Sequence, residues 1–310
     1  MSAFSGFSAG KALTVRDIEE LLRSTLGEDI CGTDSNDRMY DSIEGLWDYE
    51  LDDSKRTAGE KGKQKKKQQQ QQKQQQPEDQ GSGLGWYSDA YDYWEAEENC
   101  PLTDDGVLGG YGKLTPTDVK GSNAFLDALS SVRPSLKFER VADCGAGIGR
   151  VTKHLLLPRC GVVDLVEQSP RLINAAPAYV GEIGRDRMNL LTVGLQNFAP
   201  EPNTYDIIWI QWVIGHLHDL DFISFFRRCA AGLKPGGVII LKDNCVAEYT
   251  FVVDKADSSV ARHGEYLQLL FLLSGLNVVM QDPQRDFPAE LYPVMMWALE
   301  PIDKVEARGP

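Results

Sequence analysis

Strand-like apolar runs alternate with helical patterns through residues 140–300, and this alternation constrains the fold more than any other feature. The runs YDIIWIQWVI (205–214) and GVIILKD (237–243) are continuously apolar, as expected of strands buried on both faces. Five further strand-like runs occupy 140–145, 161–167, 189–195, 277–282 and 293–300. Alternating strand and helix units predict an α/β fold with a doubly wound, mostly parallel seven-stranded sheet and right-handed crossovers.

The composition is that of an ordinary globular protein. The chain has 310 residues, of which 42% are hydrophobic and 25% charged, enough apolar material for one sizeable core. No run of about 18 apolar residues occurs, and the first residues lack the pattern of a secretory signal. Six scattered cysteines favour reduced thiols over a disulfide framework or a zinc site. We therefore expect a cytoplasmic or nuclear protein without a membrane span or a metal.

Charge is distributed unevenly along the chain. The formal net charge is −14, but residues 55–73 carry +7, so the remainder sums to −21. A body this acidic repels the phosphate backbone of nucleic acid and attracts a basic substrate. We therefore predict no direct nucleic-acid partner and no membrane partner.

Changes in composition divide the chain into four parts. Residues 1–54 are predicted to form a poorly ordered extension with one short helix after Thr14, and 55–85 a Lys/Gln-rich linker. The cluster KGKQKKK in this linker is either a nuclear import signal or a solvated run of charge. The folded domain is expected at 86–301, followed by a tail at 302–310.

A glycine-rich loop, DCGAGIGR, follows the first strand of the domain. Gly145, Gly147 and Gly149 alternate with other residues, which lets the backbone approach a ligand without clashes from Cβ atoms. Arg150 follows them, either as a bidentate partner for a carboxylate or as a surface arginine. Glu167 ends the second strand, where an acid can accept hydrogen bonds from both hydroxyls of a ribose.

Leu195 and Gln196 end the third strand, and an apolar side chain beside an amide suits the face and amino edge of adenine. With the glycine loop, the acid and the turn LKPGG, they resemble the class I S-adenosylmethionine-dependent methyltransferases. This resemblance implies S-adenosylmethionine as methyl donor and S-adenosylhomocysteine as product. A nucleotide site of another sort is the alternative.

Candidate acceptor residues follow the fourth and fifth strands, because open α/β sheets bind ligands beyond the carboxyl ends of their strands. His216 could accept a proton near neutral pH or could be a structural, hydrogen-bonded histidine. Asp257 on its own could cap a helix, and Asn244 could be an ordinary loop residue. A modest base suffices for an α-amino group, whose pKa is about 7.7–8.0.

The segments YWE, GVLGGYG, DCGAGIGR, LLLP, GLQ, YDIIWIQWVIGHL, KDN and DSSV resemble the eukaryotic protein N-terminal (Xaa-Pro-Lys) methyltransferases. The resemblance spans about residues 91–300, and the first 85 residues have no counterpart in it. It implies a class I methyltransferase Rossmann-like fold with an N-terminal lid. It also implies that the cofactor is contacted by Gly145, Gly147, Arg150, Glu167, Gln168, Ser169, Leu195, Gln196 and Gln211.

The chain departs from the family pattern in three places, one of which is residues 293–296, Pro-Val-Met-Met, where the family has a more aromatic stretch. Glu167, Gln168 and Ser169 stand where the family usually has Asp followed by Ile and Thr, and a longer acid can still hold the ribose. One extra residue also separates Asn244 from Asp257.

The resemblance implies roles on the acceptor side as well. Asp257 and His216 would share removal of a proton, and Asn244 would hold the terminal backbone of the substrate. Substrate contacts would come from Trp94, Leu108, Leu114, Trp212, Asp254, Ser259 and Tyr292.

The implied activity is in-line methyl transfer to the free α-amino group of protein N-termini that begin Xaa-Pro-Lys or Xaa-Pro-Arg after removal of the initiator methionine. The number of methyl groups transferred stays open. The alternatives are a methyltransferase for small-molecule amines and an inactive S-adenosylmethionine-binding scaffold.

Overall fold

The computed structural model describes residues 13–27, 29–52, 55, 84–247 and 249–302. Within these residues, eleven strands form two sheets. Strands β1 to β11 are Cys31–Asp34, Met39–Tyr40, Arg140–Cys144, Val162–Glu167, Met188–Thr192, Tyr205–Gln211, Leu233–Asn244, Thr250–Asp254, Ser259–Arg262, Leu276–Pro283 and Val294–Pro301.

The larger sheet has seven strands in the order β10-β11-β7-β6-β3-β4-β5. Strands β7, β6, β3, β4 and β5 run parallel, whereas β11 is antiparallel to both β7 and β10. Strand β6 is buried along its whole length, which explains its continuous apolar sequence. The strand order reverses at β3, so the carboxyl ends of β3, β4 and β6 border the crevice where such sheets bind ligands. The predicted doubly wound, mostly parallel seven-stranded sheet is confirmed.

Eight α-helices are assigned in the described residues: α1 to α8 are Val15–Leu26, Ile43–Glu50, Leu84–Glu95, Asp104–Val107, Thr115–Val132, Pro170–Val180, Asp219–Gly232 and Gly264–Leu273. Helix α1 begins after Thr14, whose side chain accepts the backbone N–H of Asp17 in a capping box, and it ends at a left-handed Gly27. Among the helices that the structure describes, none combines the length and apolarity that crossing a bilayer requires.

Two segments lie over the carboxyl edge of the large sheet as the expected N-terminal lid. They are helix α3 and the stretch from helix α4 to the 3-10 turn Gly112–Leu114. Their side chains form one wall of the cavities described below. The segment after the glycine loop contains a π-helical turn at Thr152–Leu156. Such turns are rare and concentrate at functional sites.

The smaller sheet has the strand order β2-β1-β8-β9. Strand β1 pairs in parallel with β8, while β1 with β2 and β8 with β9 are antiparallel. Residues 29–52 therefore add two strands and helix α2 to the folded body, and α1 packs with them against the same core.

This arrangement corrects the prediction for residues 1–54. The described part of that segment contains two helices and two strands, not a poorly ordered extension with one helix. Its strands are four and two residues long and are completed by β8, more than 200 residues later in the chain. Periodicity within so short a stretch is too weak to reveal pairing with a distant partner. The predicted linker at 55–85 and tail at 302–310 fall almost wholly outside the described residues.

Trp47 on helix α2 anchors this N-terminal segment to the rest of the protein. Its indole Nε1–H donates to the carboxylate of Asp219 at 2.8 Å. Its ring meets that of Trp86 edge to face, with centroids 5.5 Å apart. The side chain is 2% exposed, so a large apolar area and a hydrogen bond to a charged group both depend on it.

Replacing Trp47 tests this anchor. We expect Trp47→Ala to lower the free energy of unfolding by about 3–5 kcal/mol, because it leaves a cavity and removes a hydrogen bond to a buried carboxylate. Urea unfolding followed by circular dichroism measures the effect. Met39→Ala is the control, because Met39 lies in the same segment but is 64% exposed. Equal midpoints for the two variants would contradict the anchoring role.

Candidate functional site

Two adjoining cavities open at the carboxyl edge of the large sheet. The first has about 930 Å³ of space including its mouth and is lined by the glycine loop and the ends of β4, β5 and β6. The second has about 750 Å³ and lies between the lid, Asn244 and residues 287–294. Trp94, Val107, Leu108 and Trp212 line both cavities, so the two spaces meet at this wall.

The glycine loop can be built only from glycine at two of its positions. Gly145 and Gly149 have φ angles of +74° and +84°. A Cβ atom would lie 2.6 Å from Val213 at the first position and 2.9 Å from Val180 at the second. Asp143, just before the loop, accepts the hydroxyl of Thr152 at 2.6 Å, and burial raises the pKa of this carboxyl to about 6. The loop is therefore tightly fixed between β3 and the π-helical turn.

Glu167, at the end of strand β4, connects this strand to the glycine loop. Its carboxylate accepts the backbone N–H of Gly147 at 3.0 Å and that of Ser169 at 2.9 Å. Burial raises the pKa of the carboxyl, while these backbone donors act in the opposite direction. The group lines the first cavity and retains acceptor capacity, because an ionised carboxylate has about four lone-pair sites.

A buried ionic cluster lies beside the same cavity. Asp118 accepts from Arg150 at 2.7 Å and from the amide of Gln211 at 2.9 Å, and its carboxylate also pairs with the Lys242 ammonium. Burial opposes ionisation of Asp118, but Lys242 and Arg150 outweigh it and lower the pKa of the carboxyl. Arg150 has five N–H donors, so its bond to Asp118 leaves others for a ligand. Two cations share one carboxylate here, and this cluster therefore favours an anion.

The remaining residues predicted to contact a cofactor divide into two groups. Gln168, Leu195 and Gln196 line the first cavity beside Glu167. Ser169 does not line it: its hydroxyl accepts the Leu172 N–H as the cap of helix α6 and donates to Glu95 on the lid. Ser169 therefore connects the end of strand β4 to the lid and supports the wall of the cavity without lining it.

The second cavity collects most of the residues predicted to contact the acceptor: Trp94, Leu108, Leu114, Trp212, Asn244 and Tyr292. Trp212 has a φ angle of +52°, uncommon for a bulky residue and often found where a site holds a side chain in place. Its ring stacks on Phe287 with centroids 6.3 Å apart. The cavity wall is thus largely aromatic and apolar, with Asn244 as a polar group.

His216 lines the first cavity and contacts the β8–β9 hairpin. Its Nδ1 lies 3.1 Å from the carbonyl oxygen of Ser258, which can only accept, so Nδ1 carries the proton. Its Nε2 lies 3.1 Å from the indole N–H of Trp94, which can only donate, so Nε2 is the acceptor. The ring is therefore a neutral imidazole of defined tautomer that links the lid to the hairpin.

Asp257, Asp254 and Ser259 lie on this hairpin and line neither cavity as described. Asp257 accepts the Ser259 hydroxyl at 2.7 Å. Burial raises the pKa of Asp257 most, Asp254 adds to the rise, and His216 and Ser259 oppose it. Asp254 is exposed. Ser258, between Asp257 and Ser259, connects this turn to the site, because its carbonyl oxygen accepts the Nδ1–H of His216.

Several functional positions escaped the sequence analysis. Asp118 and Lys242 are single charged residues in otherwise ordinary elements, and only their burial in contact with Arg150 marks them. Val107 lies in the segment GVLGGYG, which the sequence analysis singled out without naming that residue. Phe287 follows an exposed turn, and no sequence pattern singles it out.

Comparison with known proteins agrees with this geometry. A family model described as AdoMet-dependent proline di-methyltransferase matches residues 64–300. N-terminal Xaa-Pro-Lys N-methyltransferase 1-A of Xenopus laevis is 43% identical over 215 residues, which are 69% of this chain and 94% of that protein. The corresponding enzyme 1 of Danio rerio is 44% identical over 72% of this chain and 97% of its own.

A solved SAM-dependent methyltransferase from Leishmania major superposes with a TM-score of 0.72 and 32% identity. The superposition covers 88% of this chain and 96% of that one. The chain therefore belongs to the AdoMet-dependent proline di-methyltransferase family and is an S-adenosylmethionine-dependent methyltransferase.

Proposed function

We propose that this enzyme methylates the free α-amino group of protein N-termini that begin Xaa-Pro-Lys or Xaa-Pro-Arg. The observation that carries the proposal is the junction of two cavities at Trp94, Leu108 and Trp212, with Asn244 in the second cavity and His216 at the edge of the first. Methyl transfer needs a donor pocket and an acceptor pocket that meet at one point. The names of the relatives, Xaa-Pro-Lys N-methyltransferases, support the choice of acceptor.

The residues of the first cavity fit S-adenosylmethionine. Gly145 and Gly147 present the loop backbone to this cavity without side chains of their own, and Glu167 offers acceptors to a ribose. Leu195 and Gln196 suit adenine, and the Asp118–Arg150–Lys242 cluster suits the carboxylate of the methionine part. When bound, S-adenosylmethionine supplies an electrophilic sulfonium methyl group, so the protein has to place and deprotonate the amine and exclude water.

The second cavity fits a proline-second peptide. Trp94 and Trp212 offer aromatic faces to the proline ring, and Asn244 can hydrogen-bond the terminal backbone. Leu108, Leu114 and Tyr292 narrow the channel, which suits a free chain end better than a mid-chain segment. Asp254, exposed on the hairpin, pairs with the basic third residue, and Ser259 holds Asp257 in place.

Asp257 accepts the proton that the substrate ammonium loses, and its raised pKa brings it closer to that of the amine. His216 cannot accept the substrate proton while the indole N–H of Trp94 donates to its Nε2. In that state its Nδ1–H holds the carbonyl of Ser258 and so fixes the residue next to Asp257. His216 becomes a second proton acceptor once the indole of Trp94 moves away from it.

The role of Glu167 predicts weaker cofactor binding when its charge is removed. We expect Glu167→Gln to raise the Kd for S-adenosylmethionine about 10–100-fold, because hydrogen bonds to a buried charged acceptor are lost. Isothermal titration calorimetry measures the change. Glu182→Gln is the matched control, since the Glu182 side chain is 81% exposed. An unchanged Kd in Glu167→Gln would refute the ribose-binding role.

The acceptor assignment predicts a strict requirement for a free N-terminus. In mass spectrometry with S-adenosylmethionine, we expect one or more added methyl groups on a Ser-Pro-Lys peptide and none on its N-acetylated twin. The highest product mass gives the number of methyl groups transferred. Methylation of both peptides would move the acceptor to the lysine side chain. Equal activity on a Ser-Ala-Lys peptide would favour the small-molecule amine methyltransferase. Binding of S-adenosylmethionine without methyl transfer to any peptide would favour the inactive scaffold.

The role of Asp257 predicts how activity depends on pH. Only the ionised carboxylate accepts a proton, so kcat/KM is lost as the pH falls through the raised pKa of Asp257. We expect Asp257→Asn to lower kcat/KM about 10²–10⁴-fold and to leave only the pH dependence of the substrate amine. Asp127→Asn, on a carboxylate that is 67% exposed, is the control. A wild-type pH profile in Asp257→Asn would assign proton removal to another group.

A further inference from the structure

The β8–β9 hairpin that carries Asp254 and Asp257 is held from its outer side by the N-terminal segment. Strand β1 pairs with β8 through four residues, from Cys31 opposite Thr250 to Asp34 opposite Val253. The contact is close, because a Cβ atom on Gly32 would lie 2.4 Å from the carbonyl oxygen of Phe251. The segment that makes this contact lies outside residues 64–300, which the family model matches.

The contact continues into the turn between the two acids. The backbone N–H of Ser35 donates to the carbonyl of Val253 at 2.9 Å, and its hydroxyl accepts the backbone N–H of Lys255 at 3.0 Å. Lys255 and Ala256 are the two residues between Asp254 and Asp257. A cation at this point competes with a basic substrate side chain for the carboxylate of Asp254.

Glu50 on helix α2 holds this cation on the outer side of the hairpin. The Lys255 ammonium pairs with the Glu50 carboxylate, which is fully buried and also accepts the hydroxyl of Tyr40 at 2.6 Å. The ammonium lies 5.9 Å from the ring centre of Tyr49 on the same helix. Among the ion pairs of the described residues, Glu50 is the acid paired with Lys255.

We propose that Glu50 is a positioning residue for acceptor specificity: by binding Lys255, it keeps the carboxylate of Asp254 available to the basic third residue of the substrate. This inference rests on the proposed function, because it takes the peptide to be Xaa-Pro-Lys. The N-terminal segment is thereby part of the framework of the acceptor site.

The test compares two peptides, Ser-Pro-Lys and Ser-Pro-Gln, on full-length variants. We expect Glu50→Gln to raise KM for Ser-Pro-Lys about three- to fivefold, the size of one exposed ion pair, with kcat unchanged. KM for Ser-Pro-Gln should stay at its wild-type value, because that peptide has no third-residue cation. A purely structural role for Glu50 would change both peptides alike.

The double variant Glu50→Gln/Lys255→Met removes both charges of this ion pair, so Lys255 no longer supplies a cation that could compete for Asp254. We expect it to restore the wild-type KM for Ser-Pro-Lys, and this result decides the question even if Glu50→Gln alone folds poorly. Asp52→Asn is the matched control, an acid-to-amide change in the exposed Asp52–Lys55 pair of the same segment.

A raised KM for Ser-Pro-Lys in the double variant, or an equal rise for both peptides in Glu50→Gln, would overturn the inference. Both outcomes apply when the wild-type enzyme methylates Ser-Pro-Lys. A wild type that methylates neither peptide would instead refute the proposed function, and this inference with it.

Discussion

The buried carboxylate of Asp219 joins the parts of the molecule that form the acceptor side. It accepts hydrogen bonds from Trp47 of the N-terminal segment and from Tyr266 on helix α8, and it pairs with Arg262 on strand β9 at 2.9 Å. Arg262 also donates to the carbonyl of Leu217, the residue after His216. Losing one partner of a buried ion pair costs about 3–5 kcal/mol, so this one group holds together the hairpin, the histidine turn and the N-terminal segment.

The two ends of the active site differ in how far the sequence could predict them. The glycine loop and Glu167 were predictable, because positive φ angles demand glycine locally and because parallel strands bring their carboxyl ends to one edge. The β8–β9 hairpin was not predicted, since strands of five and four residues become stable only through pairing with β1 and contact with His216. The resemblance to a known family supplied Asp254 and Asp257, yet it covered neither Glu50 nor the strand that supports them.

The buried charges near the first cavity show a similar limit. Arg150 was predicted from its place after the glycines, but its partner Asp118 lies on helix α5 and also pairs with Lys242 on strand β7, which is far away in sequence. Burying three charges is costly unless they are paired, and here one carboxylate serves two cations. Under the proposed function, the carboxylate of the bound donor would lie beside Arg150 and would balance the second cation of this cluster.

Trp94 couples the two halves of the site. Its ring lines both cavities, its indole N–H occupies Nε2 of His216, and the backbone carbonyls of Trp94 and Glu95 accept donors from Arg171 on helix α6. The lid therefore cannot shift at Trp94 without exposing the lone pair of His216. An acceptor that displaced the indole from the imidazole on entering the second cavity would free Nε2 in the same movement. The histidine would thus gain a free acceptor nitrogen only when a substrate is in place, which keeps proton removal and substrate entry in step.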